Sequence, residues 1–210
     1  MIIMENTALV VGATGLVGNL VLLELSNGNE NIFAVTRRSI EHPNVSELDF
    51  DLFIKDGLLP VCEHIYICLG TTIKKAGSQD EFRKVDFDYS LAFAKKARKM
   101  GASKISLVSS VGANHNSKNF YLRVKGELEE AIKKIDFDEI NIYRPSLLIG
   151  NRTDIRVVEK IGQNFSFLIN FLLRGSLKTY RSIRAKRLSN FMVNNNHKSG
   201  LNYYYYEDFK

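Results

Sequence analysis

The sequence predicts an α/β fold built on a doubly wound parallel sheet, and two features carry that expectation. Short β-branched apolar runs alternate with longer stretches whose apolar residues recur at helical spacing. Glycines at 12, 15 and 18 mark the junction between the first run and the first helical stretch, where a strand must turn sharply into a helix. With 45% hydrophobic residues among 210, the chain can bury one substantial core.

Taken in order, strands are expected at Thr7 to Val11, Ile32 to Thr36, near Val45 to Leu48, and at His64 to Leu69, Lys104 to Ser109 and Glu139 to Tyr143. Helices are expected at Leu16 to Ser26, Glu81 to Met100 and Tyr121 to Ile135, so the strands are joined by crossovers and lie parallel. After Gly150 the alternation gives way to a polar loop, an apolar stretch from Val157 to Leu173, a helix-like Ile183 to Val193 and a last run from Leu201 to Tyr206. Tyr203 to Tyr206 suit a half-buried edge strand. The chain is expected to form one domain over 1–210, with 151–210 contributing a small C-terminal lobe.

Composition narrows the function classes. The formal charge of +6 (29 Lys and Arg against 23 Asp and Glu) is spread along the chain and favours small anionic ligands. Arg181, Arg184, Lys186 and Arg187 stand above an apolar stripe of Ile183, Leu188, Phe191 and Met192, which reads as a solvated helix face, so no nucleic acid is expected. Cys62 and Cys68 are read as reduced, buried thiols, and His42, His64, His115 and His197 lack ligand spacing, so no metal is expected. Phe165 to Leu173 is interrupted by Ser166 and Asn170 and is too short to span a bilayer. It reads as an apolar helix packed on the sheet, with a substrate lid or subunit contact as the alternative. Met1 to Asn6 has neither the basic segment nor the apolar stretch of a signal peptide, so a cytoplasmic monomer or homodimer is expected.

The glycine loop carries the first functional reading. Gly12 permits the tight turn, Gly15 lets backbone amides approach a pyrophosphate, and Gly18 lets the helix pack closely on the strand, which is the dinucleotide-binding arrangement of a Rossmann-type fold. Gly12, Thr14, Gly15, Leu16, Val17 and Gly18 are therefore expected to hold the phosphates at the helix's positive end. About twenty residues on, where an acidic residue would bind ribose hydroxyls, the chain has Arg37 and Arg38. Guanidiniums match a 2′-phosphate bidentately, so NADP(H) is preferred over NAD(H).

The second reading is catalytic. Tyr121 and Lys125 are four residues apart and share one helix face. Tyr206 and Lys210 repeat that spacing in the tail, and position decides for Tyr121, on the helix after the fifth strand. A phenol is a poor acid near neutrality unless a cation stabilises its phenolate, and Lys125 supplies one. Ser109 or Ser110, at the end of that strand, would hold the substrate oxygen while Tyr121 moves the proton.

These segments together, Val11-Gly-Ala-Thr-Gly-Leu-Val-Gly18, Thr36-Arg-Arg38, Leu48-Asp-Phe50, Cys68-Leu-Gly-Thr-Thr72, Val108-Ser-Ser110, Tyr121-Leu-Arg-Val-Lys-Gly-Glu127 and Tyr143-Arg-Pro-Ser-Leu-Leu-Ile-Gly150, resemble the short-chain dehydrogenase/reductase superfamily. Cys68 to Gly77 is similar to its atypical branch related to the Tat-interacting-protein oxidoreductases. The resemblance implies that Asp49 approaches the adenine, that Leu69 and Gly70 line the adenine ribose, that Pro145, Ser146 and Leu147 lie along the nicotinamide, and that Thr71, Tyr121 and Lys125 also contact the cofactor. Two departures stand out: the stretch from Asp80 to Met100 has no Asn to complete the family's usual catalytic tetrad, and the C-terminal lobe is short for a nucleotide-sugar substrate. An NADP(H)-dependent oxidoreductase acting on a small carbonyl or alcohol is expected. The alternative is an NADP(H)-binding regulatory or sensor protein without turnover.

Overall fold

In the computed structural model, the described residues are 7–28, 31–40, 42, 44–55, 57–150, 180–194 and 198–209. The expected stretch from Val157 to Leu173 lies outside them, as do Met1 to Asn6 and His197. The strands are β1 (Thr7–Val11), β2 (Asn31–Thr36), β3 (Val45–Asp49), β4 (His64–Ile67), β5 (Lys104–Val108), β6 (Glu139–Tyr143), the short β7 (Leu148–Ile149) and β8 (Ile183–Arg184), and β9 (Gly200–Tyr204). The helices are α1 (Leu16–Leu25), α2 (Phe50–Lys55), α3 (Ile73–Ala76), α4 (Gln79–Arg83), α5 (Ser90–Lys99), α6 (Phe120–Ile132) and α7 (Ala185–Asn194). The fold class is the expected one: a seven-stranded sheet in the order β3-β2-β1-β4-β5-β6-β9, every neighbouring pair parallel, with helices on both faces.

The strands split the core by simple alternation. Leu9 and Val11 of β1 point to one face, against Ile65, Ile67, Phe93, Leu128 and Ile142. Ala8 and Val10 point to the other, against Val21, Leu22, Tyr143, Leu188 and Met192. The chain runs from β1 outward to β3 and then returns to β4 on the opposite side of β1, so the sheet's direction of growth reverses between β1 and β4. At such a switch the loops leave in opposite directions and open a crevice at the carboxyl ends of the strands.

Three differences from the sequence pattern have local causes. The helix expected from Glu81 to Met100 begins earlier, at Gln79, because the Ser78 hydroxyl accepts the Glu81 N–H as an N-cap. It also widens into a π-helical turn over Lys84–Tyr89 before α5 resumes the ordinary register. Helix-like Ile183 to Val193 starts as β8, with Ile183 donating its N–H to Leu147, and becomes helical at Ala185. The run expected from Leu201 to Tyr206 forms β9 over Gly200–Tyr204, a parallel edge strand beside β6 with Tyr204 stacked on Tyr143, and Tyr205 and Tyr206 lie past its end. Arg184, Lys186 and Arg187 are exposed above buried Leu188 and Met192, as the apolar stripe requires. Cys62 is buried as expected, whereas Cys68, just past the end of β4, is only half-buried; burial pushes both thiols up to about 12.

Candidate active site

The first loop is shaped by contacts that admit no side chain. Gly12 has φ +89°, and a Cβ there would stand 2.7 Å from the Cys68 carbonyl carbon, so both its backbone angle and its neighbour demand glycine. A Cβ on Gly18 would stand 2.3 Å from the Gly12 oxygen, which is the close helix-on-strand contact read from the spacing. Gly15 donates its N–H to Gly12 O at 2.9 Å and is the N-cap of α1. No side chain caps that helix, and its first turn carries no acidic residue. The loop thus leaves backbone donors and the positive end of a ten-residue helix beside exposed Thr14 and Gly15, with Leu16 half-buried and Val17 turned into the core. This chemistry fits a pyrophosphate.

The two arginines after β2 are not equivalent. Arg37 lies 4.1 Å above the Phe50 ring, faces Tyr89 at 5.7 Å and sits 3.6 Å from Asp51. Arg38 is exposed, its backbone held by the Thr36 hydroxyl, and among the described residues no carboxylate pairs with its guanidinium. Asp49 closes β3 and caps α2 by accepting the Leu52 N–H at 2.8 Å. Leu69, Gly70 and Thr71 follow β4 at the same edge of the sheet.

Across the crevice, α6 follows β5. Its N-cap is Asn119, whose side chain accepts from Leu122, and its first turn brings half-buried Tyr121 against the Phe82 ring at 5.6 Å. Lys125, one turn further in, is buried with its Nζ 2.8 Å from Asp86 Oδ1. Burial drives Lys125 toward its neutral form, but Asp86, with Tyr121 and Glu129, outweighs that and holds the ammonium above its ordinary value. Asp86 comes from the π-helical turn, is fully buried, and accepts the Thr71 N–H on Oδ2 at 2.9 Å. Gly126 lets α6 come down on the loop before it: a Cβ there would meet Asn114 C and His115 N at 2.3 Å.

The two serines also divide. Ser109 is buried and its hydroxyl donates to Glu129. Glu129 in turn accepts from Arg144 Nε at 3.0 Å and from its Nη2, and Arg144 Nη1 reaches Tyr205 at 2.9 Å. Ser110 is half-buried, and its hydroxyl makes a long contact of 3.3 Å to the Val111 carbonyl. Past β6, Pro145 is buried and accepts the Val111 N–H, Ser146 donates to Arg181 O, and Leu147 is 53% exposed.

Sequence reasoning did not select Asp86, Glu129, Arg144 or Phe82. A signal was present for two of them. Asp86 falls among buried Phe82, Ser90, Phe93 and Ala97, and Glu129 among Val124, Leu128 and Ile132, so each is a carboxylate on an otherwise buried stripe. Such a group needs a partner, and the helix faces that meet show which.

A glycine loop at the switch of a parallel sheet, facing a helix that carries Tyr121 and Lys125, defines a nucleotide-binding Rossmann protein of the short-chain dehydrogenase/reductase class. No family model matches the chain. It is 39% identical over 156 residues to the protein FMP52, mitochondrial, of Candida glabrata, covering 71% of this chain and 67% of that one. It is 32% identical over 173 residues to the protein HTATIP2 of Rattus norvegicus, covering 77% and 71%. The chain belongs to the atypical short-chain dehydrogenase/reductase family that includes FMP52 and HTATIP2. Among solved structures, human epimerase family protein SDR39U1 with NADPH shares the fold at a TM-score of 0.67 and 17% identity, over 95% of this chain and 74% of that one. MoeE5 in complex with UDP-glucose and NAD does so at 0.66 and 16%, over 89% and 70%. The expected cytoplasmic location is corrected by these relatives: FMP52 proteins of Candida glabrata, Candida albicans and Saccharomyces cerevisiae are all named mitochondrial. Sequence composition misses this because an address is read by a receptor, and the interior of a fold does not encode it. Among the described residues, no helix is long and apolar enough to cross a membrane.

Proposed function

We propose that this protein is an NADP(H)-preferring oxidoreductase that interconverts a small carbonyl and its alcohol. The observation that supports it most is the pairing, on one helix at the crevice, of Tyr121 with a buried and charged Lys125. The bound nicotinamide would supply or accept the hydride. Gly12, Thr14, Gly15, Leu16, Val17 and Gly18 would hold the pyrophosphate, Asp49 the adenine side, Leu69, Gly70 and Thr71 the ribose, and Pro145, Ser146 and Leu147 the nicotinamide side. Tyr121 would give its proton to the carbonyl oxygen, and the Lys125 ammonium would stabilise the phenolate left behind. Ser110 is the serine we assign to the substrate oxygen, because the Ser109 hydroxyl is committed to Glu129. The relatives' names support a mitochondrial place for this activity.

Arg38 is the residue assigned to the 2′-phosphate, since Arg37 is stacked on Phe50 and paired with Asp51. A charge-assisted hydrogen bond is worth about 1.5–3 kcal/mol, so Arg38→Ala should weaken NADPH binding about tenfold or more while leaving NADH binding nearly unchanged. Fluorescence titration with both nucleotides checks this. Equal wild-type affinity for the two would overturn the preference, and a folded protein that takes up neither at millimolar concentration would overturn the function.

A further inference from the structure

The stretch from Asp80 to Met100 has no asparagine facing the catalytic lysine, and the structure places a carboxylate there instead. We propose that Asp86 is the positioning residue of this site: one buried carboxylate keeps Lys125 charged and in place, and with its other oxygen anchors the loop that carries Gly70 and Thr71. This rests on the oxidoreductase reading for its meaning but not for its test.

Four observations meet at Asp86. Its side chain and that of Lys125 are 0% and 5% exposed, so the pair is dry. Oδ1 lies 2.8 Å from Lys125 Nζ, and Oδ2 accepts the Thr71 N–H at 2.9 Å. A Cβ on Gly70 would stand 3.8 Å from Oδ1, so the loop runs directly over the carboxylate. Asp86 also sits in the π-helical turn, on the same buried stripe as Phe82, Ser90 and Phe93, where a lone carboxylate needs a partner.

The groups that act on Lys125 come from three elements. Asp86 comes from the π-helical turn, Cys68 from the end of β4, and Tyr121 and Glu129 from α6 itself. Glu129 is already engaged by two Arg144 nitrogens and by Ser109. Cys68 is held as a neutral thiol by burial, and Tyr121 brings a hydroxyl where Asp86 brings a carboxylate. Asp86 is therefore the counter-ion, and without it burial would drive Lys125 to lose its proton. An asparagine could place the amine but could not keep it charged. The same anchor ties the state of the lysine to the loop expected along the ribose, a coupling that an amide or a water would carry less firmly.

Two variants separate the two duties. Asp86→Asn keeps the volume and an acceptor for Thr71 but removes the charge. With lysine labelled at 15Nζ and Lys125→Met assigning the resonance, the Lys125 titration should move at least about one pH unit lower in Asp86→Asn. The alkaline limb of any pH–turnover profile should move the same way, while Thr71 amide exchange should stay within about threefold of wild type. Asp86→Ala removes the acceptor as well and should speed Thr71 exchange about tenfold or more. An unmoved Lys125 titration in Asp86→Asn, or unchanged Thr71 exchange in Asp86→Ala, overturns the proposal. Should Asp86→Ala fail to fold, Asp86→Asn decides alone. Both readings are taken without substrate, so a protein that reduces no carbonyl would sink the proposed function and leave this test standing.

Discussion

Helix α6 carries two buried ion pairs one turn apart, and they are built differently. Lys125 meets Asp86 through one contact, and Tyr121, one turn earlier on the helix, also acts on its charge. Glu129 is gripped by two nitrogens of Arg144, takes the Ser109 hydroxyl, and is tied through Arg144 to Tyr205 and, by ring stacking at 4.5 Å, to Tyr203. The guanidinium fork fixes two donors in one plane and stays protonated, so the inner pair is a brace between α6, β6 and the edge strand. An ammonium is a point charge that leaves its remaining protons for other acceptors, which would suit the role proposed for Lys125 beside Tyr121. The same helix thus separates rigidity from chemistry by choice of cation.

The sharpest way to break this contrast is at its chemical end. Tyr121→Phe should lower carbonyl turnover about a thousandfold while leaving the unfolding temperature within a degree or two, because only the hydroxyl is lost from a half-buried ring. Next comes the brace. Glu129→Ala leaves the Arg144 guanidinium, whose side chain is 19% exposed, without its partner and should cost about 3–5 kcal/mol, seen as a fall of about 10 °C in unfolding temperature. NADPH affinity should hardly change, since Glu129 acts through Ser109 and Arg144. A loss of binding larger than the loss of stability would erase the distinction between the two pairs.

The smallest effect is the most diagnostic. Lys125 is held above its ordinary value of 10.5, so the Lys125–Asp86 pair contributes its full stability below that pH and loses it as pH rises through the higher folded-state value. Arginine has no such transition in the accessible range. In urea unfolding series from neutral to strongly alkaline pH, the stability lost in Asp86→Asn should shrink from the variant's lowered Lys125 value upward and go on shrinking above about 10.5, and the stability lost in Glu129→Ala should not. Parallel curves would mean that the two pairs do the same work.

Much of this molecule was legible in its residue order. The strands β1, β2, β5 and β6, the glycine loop and the helix bearing Tyr121 and Lys125 follow from local periodicity and from glycine spacing, which act within a few residues. That the tyrosine run ends the sheet as a half-buried edge strand follows from its alternation, but its parallel direction and its place beside β6 do not. What could not be read depends on partners far along the chain. Ser109 and Ser110 look alike until Glu129, twenty residues on, takes one hydroxyl. Arg37 and Arg38 look alike until Phe50 and Asp51 fold against the first. Asp86 was legible only as an anomaly, a charge on a buried face, and its meaning required Lys125 on a helix beyond β5 and the Thr71 amide to fold against it.

Gly126 gives the helix that carries Tyr121 and Lys125 an unusual kind of bearing. With no side chain between α6 and the peptide of Asn114 and His115, the helix rests on that loop main chain to main chain, while Leu128 and Ile132 seat it on the sheet. A single methyl group inserted there would act as a shim, tilting Tyr121 and Lys125 away together. Proton transfer works only across heavy-atom gaps of about 3 Å, so a displacement that most of the fold would absorb is one that the phenol could not tolerate.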